Sequence, residues 1–166
     1  MAGNPEIGLS IQTGTCSTNH HDMGVGAPIL LIHGSGPGVS AWANWRLTLA
    51  ALSPRFRCLA PDMAGFGYTR VPEGYTFTRQ AWLDQLIAFL DARGIEKAHI
   101  VGNSFGGAMA LALAIAAPER VERLVLMGSV GVPFALTEGL DAVWGYTPSL
   151  DNMKAIMGYF AYDQAL

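Results

Sequence analysis

The chain has 166 residues, of which 51% belong to the hydrophobic set AVILMFWYC and only 14% are charged. This length indicates one domain, and the composition excludes intrinsic disorder, which requires low hydrophobicity and high charge. The net charge of −3 comes without a basic stripe, so the sequence gives no indication of nucleic-acid binding.

Apolar runs and helical patterns alternate along the chain as far as Met127. Short continuous apolar runs bounded by turn residues predict strands that are buried on both faces. Helices are predicted where apolar residues recur at helical spacing, and one of them has Thr78 as its N-cap and Gly94 as its C-cap. In chain order, the predicted elements are a hairpin of strands 7–13 and 15–22, strand 28–33, glycine-rich loop 34–40, helix 42–52, strand 56–60, loop 61–72, helix 78–93, strand 98–102, helix 105–117 and strand 123–127.

Strands that alternate with helices in this way predict an α/β protein with a mostly parallel sheet and helices on both faces. The hairpin is expected at one edge of the sheet. From Pro133 onward the sequence has helical stretches and aromatic side chains but no further buried strand. We therefore expect residues 1–132 to form the core and residues 133–166 to begin a separate helical piece, such as a lid.

The most specific motif is Gly102-Asn103-Ser104-Phe105-Gly106, a G-x-S-x-G between a predicted strand and a predicted helix. In this context the central serine sits on a sharp, strained turn that lifts its hydroxyl above the sheet edge. The motif therefore predicts Ser104 as a nucleophile, with the Phe105 N–H as an oxyanion donor. The alternative is a glycine-rich turn that binds a phosphate, although no G-x-G-x-x-G fingerprint is present.

A second glycine-rich loop, beginning His33-Gly34-Ser35-Gly36, directly follows the first predicted buried strand. Such a loop can aim a backbone N–H at a point above the nucleophile, although it could also be a plain turn or a phosphate cradle. We expect His33 to hold this loop through hydrogen bonds rather than to act as the catalytic base. Asp62, after the next strand, could be catalytic, but we expect it to tie down its own turn through backbone N–H groups.

The sequence predicts neither a metal site nor a membrane span. His20 and His21 are expected in a surface hairpin and His99 at the start of a strand, and none has a companion at metal-ligand spacing. The longest apolar run, residues 105–117, is shorter than the roughly 20 residues that a span needs. No signal peptide is recognisable, and two cysteines cannot form a disulfide framework. We therefore expect a cytoplasmic location.

Together these segments resemble the α/β-hydrolase fold and, more closely, the meta-cleavage product hydrolases. The family members nearest in pattern are the 2-hydroxymuconate semialdehyde hydrolases and their relatives in alkyl-arene pathways, which hydrolyse a carbon–carbon bond in the ring-fission product of a catechol. The segments that carry the resemblance are HGSGPGVSAWANW at 33–45, APDMAGFGY at 60–68, GNSFGG at 102–107, LMGSVGV at 126–132, GLDAVWGY at 139–146 and FAYD at 160–163.

The resemblance implies a role for each matching residue. Ser104 would be the nucleophile, and the N–H groups of Ser35 and Phe105 would form the oxyanion hole. Asn44 and Asn103 would hold the dienoate end of the substrate, and Gly34 and Gly36 would line the same site. The implied reaction releases a 2-hydroxydienoate and a small carboxylic acid, needs no metal or organic cofactor, and is carried out by an enzyme that could be a homo-oligomer.

The sequence departs from the family in one respect. The fold supplies its triad in the order Ser, then Asp or Glu, then His, yet no histidine follows Ser104. The alternative acid position, just after the strand that ends near Met127, holds Gly128 and Ser129. We therefore expect a chain truncated within the lid, with the acid and base of the triad absent. The acidic residues beyond Ser104 are Glu119, Glu122, Glu138, Asp141, Asp151 and Asp163.

Two alternatives to the C–C hydrolase remain. One is a carboxylesterase on the same fold, and the other is a non-catalytic, truncated hydrolase-like protein. Dehalogenase and epoxide-hydrolase chemistry is excluded, because those relatives use an aspartate where this chain has Ser104.

Overall fold

The structure is a computed structural model that describes residues 3–36 and 38–160. Pro37, in the glycine-rich loop 34–40, lies outside the described residues. So do residues 161–163 of the FAYD segment, which include Asp163. The elements are β1 Leu9–Thr13, β2 Cys16–Met23, β3 Pro28–Ile32, α1 Ala41–Leu52, β4 Arg57–Pro61, α2 Arg79–Ala92, β5 Ala98–Asn103, α3 Phe105–Ala116, a 3₁₀ turn Pro118–Arg120, β6 Val121–Met127, α4 Glu138–Trp144 and α5 Leu150–Phe160.

The six strands form one sheet in the order β1-β2-β4-β3-β5-β6. β3, β4, β5 and β6 are parallel to one another, whereas β2 is antiparallel to both β1 and β4. The expected mostly parallel sheet, with the hairpin at its edge, is confirmed. The carboxyl ends of β3, β4 and β5 lie at the same edge, which is where open α/β sheets place their sites.

Helices cover both faces of the sheet, as the apolar runs predict. Alternate residues of a strand point to opposite faces. In β3, Ile29 and Leu31 pack with α1, whereas Leu30 and Ile32 pack with α2 and α3. Because the central strands need apolar side chains on both faces, they appear in the sequence as continuous apolar runs.

The ends of α1 and α2 are set by local signals. Ser40 precedes α1 and its side chain accepts a hydrogen bond from the Ala43 N–H, while Thr78 does the same for Ala81 before α2. These bonds satisfy N–H groups that have no partner within the helix. Gly94 follows α2 with a φ of 67°, a conformation that glycine adopts without strain.

Burial differs from a simple reading of the sequence pattern in two strands. The residues of the last predicted strand, 123–127, are largely exposed in β6, because this edge strand has a neighbour on one side only within the described residues. In contrast, His20 and His21 are buried, because β2 is an interior strand that lies between β1 and β4. His20 packs edge-on against Phe89 of α2, and His21 packs against Trp42 of α1.

The chain divides into two compact units, Met1–Val132 and Pro133–Leu166. The first contains the whole sheet with α1, α2 and α3. The second contains α4 and α5, in which Tyr159 lies against Gly139, and Phe134 lies 6.1 Å from Trp144 between ring centroids. No helix in the described part of the chain is long and apolar enough to cross a bilayer.

Candidate active site

Ser104 occupies a strained turn between β5 and α3. Its φ of 54° and ψ of −115° are exceptional, because every other described residue with a positive φ is a glycine. The Ser104 N–H donates to the Met127 carbonyl of β6 at 2.9 Å, and the Ser104 carbonyl accepts from the Gly107 N–H at 2.9 Å. These bonds hold the turn in a conformation that costs an L-residue about 1–3 kcal/mol. Such strain is typical of a nucleophile presented above a sheet.

The glycines around Ser104 are required because the backbone is crowded. A Cβ on Gly102 would collide with the backbone of Gly106, and a Cβ on Gly106 would collide with the Ile32 carbonyl at the end of β3. A Cβ on Gly107 would collide with the side chain of Ser129. The G-x-S-x-G spacing therefore reflects the close approach of α3 to β3 and β5.

The loop after β3 lies against this turn. A Cβ placed on Gly34 would be 3.4 Å from the Ser104 Cβ and 3.3 Å from the Asn103 Nδ2. Gly34 is buried, and the next two residues, Ser35 and Gly36, are exposed. The backbone N–H groups of Ser35 and Phe105 have no hydrogen-bond acceptor among the described residues. Both are therefore free to donate to a bound group.

Asn44 of α1 connects the loop to the turn. Its Oδ1 accepts from the Gly34 N–H at 2.9 Å and from the Asn103 Nδ2 at 3.1 Å. Since the oxygen is used by these two donors, the Nδ2 of Asn44 remains to donate. The structure thus brings Asn44, Asn103, Gly34 and Ser104 together, as the resemblance implies.

His33 holds the start of the loop and is fully buried. Its Nε2 accepts from the Met63 N–H at 2.9 Å, and its Nδ1 donates to the Gly34 carbonyl at 2.6 Å. This pattern requires a neutral ring with its proton on Nδ1. Burial lowers the pKa of His33 below its ordinary value, against the effects of the Gly34 carbonyl and Asp62. With both ring nitrogens occupied, His33 is not placed to deprotonate Ser104.

Asp62 follows β4 and is also fully buried. Its Oδ1 accepts from the Ala41 N–H at 2.6 Å, and its Oδ2 accepts from the Asn19 Nδ2 at 2.8 Å and the Tyr68 N–H at 2.7 Å. A Cβ on Gly67 would collide with this carboxylate. Asp62 thus ties down its own turn, as expected, and also holds the first residue of α1, which the sequence did not indicate.

Within the described residues of the first unit, neither the other histidines nor Glu122 is placed as a triad partner of Ser104. His99 is five residues before Ser104 on the same strand, roughly 16 Å away at about 3.3 Å per residue. Glu122 is paired with Lys97 at 3.0 Å. At the alternative acid position, the Ser129 hydroxyl donates to the Val130 carbonyl at 2.8 Å. No cluster of three His, Cys, Asp or Glu residues that could hold a metal occurs in the described part of the chain.

Several residues around the site carry no motif in the sequence. Gln85 of α2 accepts from the Ala64 N–H at 2.8 Å and donates to the Asp62 carbonyl at 3.1 Å. The Phe105 ring packs 4.9 Å from Trp82 and 5.8 Å from Phe66, measured between ring centroids. Trp82 lies on the apolar stripe of its helix and is half-buried in the structure, but nothing in the sequence indicates that its partner is Phe105.

Comparison with known proteins gives the chain a family. It is 55% identical over 163 residues to 2-hydroxy-6-oxo-2,4-heptadienoate hydrolase of Pseudomonas putida F1, covering 98% of this chain and 59% of that protein. It is 56% identical over 162 residues to 2-hydroxymuconate semialdehyde hydrolase of Pseudomonas sp. CF600, covering 98% of this chain and 57% of that protein. The chain therefore spans less than two thirds of the length of these relatives.

A solved structure gives the same result. A mutant of CumD, the meta-cleavage product hydrolase of Pseudomonas fluorescens IP01, solved in complex with acetates, matches with a TM-score of 0.87 and 57% identity. The match covers 98% of this chain and 60% of that one. The resemblance to meta-cleavage product hydrolases is thus confirmed. The family model for the alpha/beta hydrolase fold matches residues 27–151, and the chain belongs to this family.

Proposed function

We propose that this protein is a serine-dependent hydrolase that cleaves a carbon–carbon bond in catechol ring-fission products of the 2-hydroxy-6-oxo-2,4-dienoate type, such as 2-hydroxymuconate semialdehyde. The observation that carries the proposal is the strained turn of Ser104, which lies against Gly34 and beside the hydrogen-bonded side chains of Asn44 and Asn103. The names of relatives more than half identical to the chain support the substrate class.

In the proposed reaction the dienol substrate first becomes its keto form. The Ser104 hydroxyl then attacks the remaining carbonyl, and the N–H groups of Ser35 and Phe105 stabilise the oxyanion. The carbon–carbon bond breaks, its electron pair leaves as the enolate of the 2-hydroxydienoate, and water releases the small carboxylic acid from Ser104. Because the leaving carbanion is stabilised as an enolate, no metal or organic cofactor is required.

Asn44 and Asn103 are the proposed contacts for the dienoate end, with Gly34 and Gly36 beside them. The Oδ1 of Asn44 is not available to accept from the substrate, because it already accepts from the Gly34 N–H and the Asn103 Nδ2. Its Nδ2 is left to face an acceptor. A carboxylate or keto oxygen fits this position, whereas a donor group on the substrate would not be satisfied.

The reaction also needs a general base, because a serine hydroxyl alone is a weak nucleophile. None of the four histidines, all of which lie in the described part of the chain, is placed for this task. We therefore propose that the whole protein supplies the base and its acidic partner from outside residues 1–166. We further propose a cytoplasmic enzyme, which the two free and buried cysteines support, with residues 133–166 contributing to a lid.

The test compares two substrates with the complete encoded protein. We expect kcat/KM for a dienoate ring-fission product to exceed that for a 4-nitrophenyl ester by at least about 10², and Ser104→Ala to lower dienoate turnover by about 10³ to 10⁶. Ser129→Ala is the control, since this hydroxyl donates to the adjacent Val130 carbonyl and has no other hydrogen-bond partner among the described residues. A higher kcat/KM on the ester would identify the protein as a carboxylesterase. Turnover of Ser104→Ala within tenfold of the unsubstituted protein would rule out Ser104 as the nucleophile.

A further inference from the structure

The segment after β4, residues 62–68, contacts both loops that carry the proposed oxyanion donors. We propose that the buried Asp62 carboxylate is a positioning residue, which fixes the Ser35 and Phe105 N–H groups relative to each other through this segment. The proposal rests on the proposed function, because it assigns these two N–H groups to an oxyanion.

The loop that carries Ser35 is held at both ends by adjacent residues of this segment. At its start, the Met63 N–H donates to His33 Nε2, and the His33 Nδ1–H in turn holds the Gly34 carbonyl. At its end, the Asp62 Oδ1 accepts from the Ala41 N–H at 2.6 Å. Between these ends Ser35, Gly36 and Gly38 are exposed, and the Gly34 N–H is also held by Asn44 Oδ1 at 2.9 Å, so the position of the Ser35 N–H depends on these anchors.

The segment also holds the loop in its middle. The Gly67 N–H donates to the Val39 carbonyl at 3.1 Å, while the Tyr68 N–H donates to Asp62 Oδ2 at 2.7 Å. Gly67 has a φ of 52° and no room for a Cβ beside the Asp62 carboxylate. The carboxylate therefore determines the path of residues 62–68, and that path determines where Val39 lies.

Aromatic packing connects residues 62–68 to the second proposed donor, the Phe105 N–H. Phe66 of the same segment lies 5.4 Å from the His33 ring and 5.8 Å from the Phe105 ring, between centroids. Trp82 packs edge-on against Phe105 and donates its Nε1–H to the Ala64 carbonyl at 2.9 Å. The same short segment thus contacts the side chain of Phe105 and both ends of the loop that carries Ser35.

The carboxylate is needed here because all of its partners are donors. Asp62 accepts from two backbone N–H groups and from Asn19 Nδ2. An amide at this position would replace one acceptor oxygen with an NH₂ group facing a donor. Asp62→Asn keeps the size and burial of the side chain but releases at least one anchor, so the substitution separates positioning from packing.

Asp22 is the matched control. It is a largely buried carboxylate on β2, with its side chain 9% exposed, and it accepts from Arg57 Nη2 at 2.7 Å, from Arg57 Nε at 3.0 Å and from Arg93. It is paired in register with Leu59, three residues before Asp62, and contacts neither loop of the site. Asp22→Asn therefore measures how much stability is lost with a largely buried, hydrogen-bonded carboxylate when nothing changes at the candidate oxyanion hole.

The experiment measures dienoate kinetics, urea unfolding and peptide-level hydrogen exchange in the complete encoded protein. We expect Asp62→Asn to lower kcat by about 10- to 10³-fold with KM changed less than about threefold, because an oxyanion contact acts mainly in the transition state. Exchange in residues 34–41 should rise by at least about tenfold. Asp22→Asn should lower the stability without either change.

A second variant keeps the test decisive if Asp62→Asn does not fold. Gln85→Met removes the bonds to the Ala64 N–H and the Asp62 carbonyl, together with the bond to Thr18 Oγ1, at similar volume and should change kcat and exchange in the same direction. Equal effects of the Asp62 and Asp22 variants on kcat, or unchanged exchange in residues 34–41, would overturn the proposal. Faster exchange in a protein without dienoate turnover would support the anchoring and contradict the proposed function instead.

Discussion

At the scale of the single residue, Ser35 is expected to act through its backbone rather than its hydroxyl. Ser35 is exposed, and its side chain has no hydrogen-bond partner among the described residues. We therefore expect Ser35→Ala to keep turnover within about threefold, whereas Ser35→Pro removes the N–H and lowers kcat by about 10² to 10³. Steady-state kinetics on a dienoate substrate measures both, with circular dichroism to check the fold of the proline variant. Equal losses for the two variants would assign a role to the hydroxyl.

The buried histidines predict how stability changes with pH. Burial lowers the pKa of both His20 and His33, so in the folded protein each stays neutral at a pH where the unfolded chain binds a proton. Their contribution to stability is full above about pH 6.5 and is lost as the pH falls toward their lower folded pKa values, by at most about 1.4 kcal/mol per pH unit for each histidine. Urea unfolding of the complete protein at pH 7.5 and pH 5.5 measures this loss.

His20→Leu supplies the control for this pH dependence. The Nε2 of His20 has no partner, and its ring packs on Phe89, so leucine preserves most of the burial at pH 7.5. The variant should lose less free energy of unfolding between pH 7.5 and 5.5 than the unsubstituted protein does. Equal losses in the two proteins would show that His20 does not contribute to the pH dependence.

At the scale of the element, the sequence predicts a strand, a helix end or a turn correctly wherever the residues that determine it lie in one short segment. The central strands are continuous apolar runs because both faces of the sheet are covered, and α2 carries its own start and stop at Thr78 and Gly94. The Ser104 turn is equally local, since the residues that crowd it, Gly102 and Gly106, are part of the motif itself. These features could be predicted from the sequence.

The features that could not be predicted depend on distant partners. β2 has the polar sequence CSTNHHDM, yet most of it is buried. Its polar groups find partners elsewhere, such as Thr18 with Gln85 at 3.0 Å and Asn19 with Asp62 at 2.8 Å. The role of Asp62 at the start of α1 also escaped prediction, because it depends on the pairing of β4 with β3, which no local pattern encodes.

At the scale of the whole molecule, two features predict how a polypeptide of residues 1–166 behaves when it is expressed alone. The first is the absence of a base. His33 is occupied at both ring nitrogens, and the other histidines lie on β2 and β5 away from Ser104. We therefore expect no turnover of a dienoate beyond the residual rate that an oxyanion hole alone provides.

The second feature is the open edge of the sheet at β6. Within the described residues β6 pairs only with β5, and Val125, Leu126 and Met127 are 50%, 40% and 47% exposed. An apolar edge strand with unpaired N–H and C=O groups is a template for pairing with another chain. We therefore expect residues 1–166 alone to associate in a concentration-dependent manner, through pairing of β6 with a second copy.

Sedimentation and light scattering measure this association, and a charged substitution locates it. Val125→Lys places a cation on the edge strand and should reduce association, because lysine on an edge opposes pairing with another strand. Leu47→Lys is the matched control, since Leu47 is 77% exposed on α1 and has no strand edge beside it. Association that responds equally to both substitutions would indicate general apolar contact. A monomer that turns over a dienoate, with an activity abolished by His33→Ala, would contradict both the assignment of the base and the importance of the β6 edge.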